Sequence, residues 1–221
     1  MTEKYVVRWT ELFREGRAPS PEVFAHAPDA TTALLIVDGT VSGEPIVSKG
    51  DHAEHLLLGD NRWKRALETA GNAGATGREP LTVTVAINRS PCHFRTAEQN
   101  ALKRRYREFF EPVLANPGNT EGLTNPKCGC SLKLASAVAT FWKQHPTARA
   151  KFLLACTGQY WPDERSSIEH LGMTKPSDLA WLLEAGWDVR ALEINGRLTA
   201  RGQWLVNELE GTAARLTGNR A

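Results

Sequence analysis

No stretch of the chain approaches the 18 or so consecutive apolar residues of a membrane-spanning helix, and the opening M-T-E-K-Y-V-V-R-W lacks the apolar core of a secretory signal. Both absences predict a chain that works in the cytoplasm of a cell, with no membrane partner. Cysteine is scarce: four in 221 residues, far below the density of a disulfide scaffold. Neither sign of charge dominates, since 27 Lys and Arg oppose 25 Asp and Glu for a net charge of +2. Overall charge therefore does not announce a nucleic-acid partner, which has to be argued from local clusters. What is present, 41 % hydrophobic and 24 % charged residues, suffices for one core of ordinary size with room for an appended lobe. The domain could equally be a piece of a larger, delivered protein.

Three of the four cysteines fall into a pattern with chemical meaning. Residues 51–54 read D-H-A-E, Ser90-Pro91-Cys92 follows about forty residues later, and Cys128 and Cys130 come in K-C-G-C-S. A histidine two residues before a glutamate, then a proline-cysteine step and a further cysteine, is the H-x-E…P-C-x-x-C order of zinc-dependent nucleobase deaminases. His52 and two thiolates would hold Zn2+ on three corners of a tetrahedron, leaving the fourth to a water whose pKa the metal lowers from 15.7 to about 7. Asp51 is expected as a helix N-cap, with His52 at the first helical position and Glu54 on the first turn. Positions i and i+2 of a helix point roughly 200° apart, so Glu54 stays off the metal and is left to shuttle protons.

The spacing after Cys92 departs from that order, because the chain reads His93, Phe94, Arg95 where the next cysteine would stand. We expect an insert, residues 93–127, between the second and third ligands; lengthening a loop twofold costs only about 0.6 kcal/mol. Positions 130, 134 and 138 step by four and extend one helical stripe, which favours Cys130 as third ligand over Cys128. All of these ligands together, with no water position, would instead make a closed structural zinc site. Cys156 lies in an apolar run and reads as a reduced core residue.

Tyr5, Trp9, Leu12 and Phe13 at helical spacing predict a short amphipathic helix over residues 5–14, ended by Pro19, Pro21 and Pro28. Residues 1–30 then form an N-terminal helical extension and residues 31–221 the main domain. Thr31 to Val41, closed by Asp38-Gly39, predicts a strand and tight turn with residues 44–48 as its hairpin partner. One helix from Asp51 through Leu67 follows, then a strand over residues 81–87 whose larger apolar side chains alternate. In the insert, residues 96–111 predict a helix on which Lys103, Arg104, Arg105 and Arg107 crowd beside Tyr106, Phe109 and Phe110. Residues 131–145 predict helix, 151–161 a buried strand, 178–186 a helix stopped by glycine, 187–194 a last strand and 199–216 a closing helix. Helix alternating with strand in the second half requires parallel pairing. The expected class is α/β, a three-layer α/β/α sandwich with a mixed five-stranded sheet.

This order, with H-A-E and S-P-C on the two helix starts that meet over the sheet, resembles the cytidine deaminase-like fold. The second half is similar to the AID/APOBEC branch and the related bacterial toxin deaminases. The likeness is carried by Ser90-Pro91-Cys92, by Val138 to Trp142 with His145, and by Leu179 to Gly186, and it spans roughly Thr31 to Leu216. It implies His52, Cys92 and one of Cys130 or Cys128 as zinc ligands, with Glu54 as general acid and base. It further implies that Asn88, Arg89 and Ser90, and the aromatic pair Tyr160 and Trp161 after the next strand, line the target base. Arg89 stands where that branch carries tryptophan, so base recognition is not copied from it. The activity implied is hydrolytic deamination of cytosine to uracil in nucleic acid, DNA ahead of RNA, by a monomer of the kind used as a toxin warhead, with an immunity protein as a further partner. A free nucleoside or small aminated heterocycle is the alternative substrate. A non-catalytic binding module with a structural zinc is the alternative function.

Overall fold

Two short apolar runs, L-T-V-T-V-A-I and K-F-L-L-A-C, are rich in branched residues with no proline, and both become central strands of one sheet. The computed structural model describes residues 2–24, 30–48, 52–73, 79–89, 130–158 and 178–218. On these residues the fold is mixed α/β. The strands are β1 (Val6–Arg8), β2 (Thr32–Val37), β3 (Thr40–Val41), β4 (Ile46–Val47), β5 (Leu81–Ile87), β6 (Ala150–Cys156) and β7 (Trp187–Glu193). The helices are α1 (Ala53–Gly59), α2 (Asn61–Asn72), α3 (Cys130–Gln144), α4 (Asp178–Glu184) and α5 (Ala200–Gly218).

The sheet runs in the order β1-β7-β6-β5-β2-β3, with β4 also on β2. β1, β7, β6 and β5 are mutually parallel, as the alternation of helix and strand in the second half requires, while β2 is antiparallel to β5, β3 and β4. Seven strands replace the expected five. One addition comes from the turn at Asp38 (φ 50°) and Gly39 (φ 72°), which breaks the Thr31–Val41 run into β2 and a separate β3. The other is β1, found where a helix was predicted. A helix of ten residues is marginal by itself, and Val6 and Val7 instead pair with Ala191 and Leu192 along the open side of β7. Only 3-10 turns, Thr2–Tyr5 and Trp9–Leu12, flank that strand.

The helix expected from Asp51 through Leu67 is two helices. Gly59-Asp60 interrupts it: Asp60 is extended (φ −74°, ψ 141°), ends α1, and starts α2 by accepting a hydrogen bond from Arg62 N at 2.7 Å. His52 is itself the N-cap of α1 in an extended conformation (φ −70°, ψ 141°), not its first helical residue, and Asp51 lies outside the described residues. The glycine stop of α4 is present: Gly186 sits at φ 101°, and a Cβ there would come 2.7 Å from Trp142 Nε1. Trp187 then donates Nε1–H to Leu134 O at 2.9 Å and stacks on Trp63 (centroids 6.2 Å apart, 14° between planes), locking α2, α3 and β7 together.

Alternation along the strands divides the core in two. Ala33, Leu35, Val83, Val85, Ile87, Phe152, Leu154, Cys156, Trp187 and Val189 face one cluster, to which the buried side chains of all five helices also belong. Leu34, Ile36, Ala86, Ala155 and Leu192 face the other. Val7 of β1 belongs to this second face, which among the described residues is covered by Trp9, Leu12, Phe13 and Phe24 of the N-terminal segment.

Candidate metal and catalytic site

Three strand ends converge by register alone. Ala33 at the start of β2 pairs with Ile46 of β4 and with Ile87, the last residue of β5, and Ile87 pairs with Cys156, the last residue of β6. The chain leaving β4 therefore enters α1 over the carboxyl ends of the parallel strands, which is where ligands bind in open α/β sheets. His52 and Glu54 occupy that entry.

Cys130, the first residue of α3, meets them there. Its Sγ lies 3.3 Å from His52 Nδ1, and one donor atom from each of His52, Glu54 and Cys130 falls within 4.8 Å of the others. Zinc about 2.3 Å from a thiolate sulfur and about 2.0 Å from an imidazole nitrogen, at a tetrahedral angle, would hold those two atoms about 3.5 Å apart. The observed spacing fits that geometry, so this group could hold a metal ion. Cys130 and Glu54 are 3 % and 2 % exposed, whereas His52 is half-buried at the rim. A soft thiolate with an imidazole suits zinc among common divalent ions.

The floor of the site is Cys156. Its thiol is fully buried and free, and its pKa is pushed far up, first by loss of water and then by the negative charge of Glu54. The core assignment made from its apolar setting is correct. Its nearness to Glu54 follows from the register of β5 and β6, which no sequence pattern displays. A buried lysine was also not foreseen: Lys133, one turn beyond Cys130, is 3 % exposed. The signal available for it was its i+3 spacing from the cysteine.

Asn88 follows β5 and works as a brace. Its Oδ1 accepts from Thr32 N at 2.9 Å, its Nδ2 donates to Ala30 O at 3.0 Å, and its carbonyl accepts from Thr157 Oγ1 at 2.6 Å. These bonds tie the ends of β2, β5 and β6 together beside the site. Arg89 is half-buried next to it. Ser90, Cys92, Cys128, Tyr160 and Trp161, together with the basic helix expected over residues 96–111, lie outside the described residues. Thr199 Oγ1 donates to Thr157 O at 2.6 Å, so the start of α5 is fastened to the same strand ends. No helix among the described residues is long and apolar enough to cross a membrane.

No family model matches the chain, and no curated protein matches it at a significant level.

Proposed function

We propose that this chain is a zinc-dependent deaminase that hydrolyses cytosine to uracil in nucleic acid, built on a cytidine deaminase-like fold with the N-terminal aromatic segment closing the second face of its sheet. The observation that supports this best is the convergence of one donor atom from each of His52, Cys130 and Glu54 within 4.8 Å over the ends of the parallel strands. His52, Cys130 and Cys92 would hold the ion, with Cys128 the alternate third thiolate. When bound, zinc supplies a Lewis acid that brings the pKa of water to about 7.

Glu54 carries the protons. It takes one from the attacking water as that oxygen bonds to C4, and delivers it to N3 of the ring. It then moves the remaining hydroxyl proton to the exocyclic nitrogen, which leaves as ammonia while C4 becomes the carbonyl of uracil. Water is consumed, ammonia is released, and no electrons are exchanged. The burial of Glu54 keeps bulk water from this shuttle.

The test is incubation with cytosine-containing single- and double-stranded DNA and RNA, followed by sequencing for C-to-U changes. Conversion is expected in at least one of the four, and Glu54→Gln should lower it by about 10²–10⁴-fold, the share general acid–base catalysis supplies. Undiminished conversion by Glu54→Gln would remove Glu54 from the mechanism.

A further inference from the structure

The surface beside the site has an aromatic and cationic flank that no part of the chemistry above uses. Trp204 on α5 is 47 % exposed, one of two large apolar side chains left open among the described residues. Arg201, one turn before it, and Arg197, in the turn that precedes α5, are also exposed. Neither guanidinium has a hydrogen bond or ion pair among the described residues. Glu193, the nearest acidic residue before them, is engaged by Arg8 at 3.5 Å, and Glu208, one turn beyond Trp204, has an interaction of its own.

Arg201 borders the site. α5 buries Gly202, Leu205, Val206 and Leu209, which leaves Arg201 and Trp204 together on one side of the helix. The edge of the helix that carries Arg201 lies against the exit of β6: a Cβ on Gly158 would come 2.5 Å from Arg201 Cβ. Gly202, which approaches Thr157 O, is on the buried side, and Trp204 is about 200° round the helix from it, on the outward side. Thr157 follows Cys156, the thiol that feels the charge of Glu54. A path thus runs from the carboxylate, along the end of β6, to Arg201, with Trp204 one turn further along the helix.

Resting on the deaminase reading, we infer that Arg197, Arg201 and Trp204 bind the single strand that flanks the target base, the arginines on its phosphates and Trp204 under one of its bases. An indole can stack only on an unpaired base, and such stacking tolerates any sequence. Phosphate contacts orient the strand without reading it. About 4.5 Å of helical rise separates positions 201 and 204, so one short stretch of strand reaches both.

The experiment measures binding of a fluorescein-labelled single-stranded DNA, and the matching RNA, to the Glu54→Gln protein by anisotropy across a salt series. Trp204→Ala should weaken binding about tenfold, as one lost stacking platform does. Arg201→Ala should lower the slope of log K against log salt by about 0.7, one phosphate contact. Arg17→Ala, in the N-terminal segment, is the control and should bind as the parent does. Unchanged affinity and salt slope in both α5 variants overturn the inference even where deamination is observed. Failure of all four deamination assays with Trp204-dependent binding intact would instead remove the deaminase reading and leave this surface standing. Absence of any oligonucleotide binding overturns it outright.

Discussion

At the scale of single residues, the sharpest expectation concerns the metal. If Cys130 and His52 share one ion, Cys130→Ser and His52→Ala should each lose bound zinc, measured per chain by elemental analysis, and each should lower the Tm of the holoprotein towards that of the chelated one. Zinc retained by His52→Ala but lost from Cys128→Ala would identify a structural clip in place of a catalytic centre. Cys156 gives a second expectation with a definite sign. Its folded pKa lies above its ordinary value of 9.0, so the neutral thiol contributes stability that is whole below about pH 9 and is lost as pH rises beyond it. Unfolding free energy should therefore fall between about pH 9 and pH 11, and that fall should flatten in Cys156→Ala. The native thiol should also resist alkylation until the protein is denatured. These residues were not equally legible beforehand. His52, Glu54 and a cysteine partner are visible because H-x-E and P-C are local spellings of a chemistry, and helical phase alone separated Cys130 from Cys128. The roles of Cys156 and Thr157 were hidden, because they arise from which strands lie side by side.

At the scale of elements, the junction between α1 and α2 carries the most information. Asp60 caps α2 and is gripped by Arg62, whose guanidinium and backbone N–H hold the carboxyl below its usual range. Arg62 also reaches the carbonyls of Ser42 and Glu44, which anchors the hairpin ahead of the site. A depressed pKa contributes stability that is present above the unfolded value near 3.8 and disappears as pH falls through the folded one. The difference in Tm between wild type and Asp60→Asn should thus shrink below about pH 4, while Asp60→Ala should cost about 1 kcal/mol at neutral pH for the cap alone. The same junction shows why boundaries are harder to read than elements. Strands β5 and β7, helix α3 and the glycine stop of α4 are local patterns and were foreseen. A single extended residue at Asp60, and the choice of strand over helix at Val6–Arg8, were decided by partners distant in sequence.

At the scale of the whole molecule, residues 2–24 belong to the core. Trp9, Leu12, Phe13 and Phe24 are buried against one face of the sheet, and four such side chains bring roughly 6–12 kcal/mol of burial, as much as the entire stability of a domain of ordinary size. Deleting residues 1–24 should therefore abolish the cooperative thermal transition, as followed by circular dichroism, and not merely lower its midpoint. The parallel contact of Val6–Arg8 with Ala191–Glu193 has a consequence for how the chain is made. β1 must wait until β7 has been made before it has a neighbour, so synthesis outruns assembly of this edge and the sheet closes like a clasp. A nick between those two ends should leave fragments that recombine when mixed, since neither half holds a complete sheet by itself.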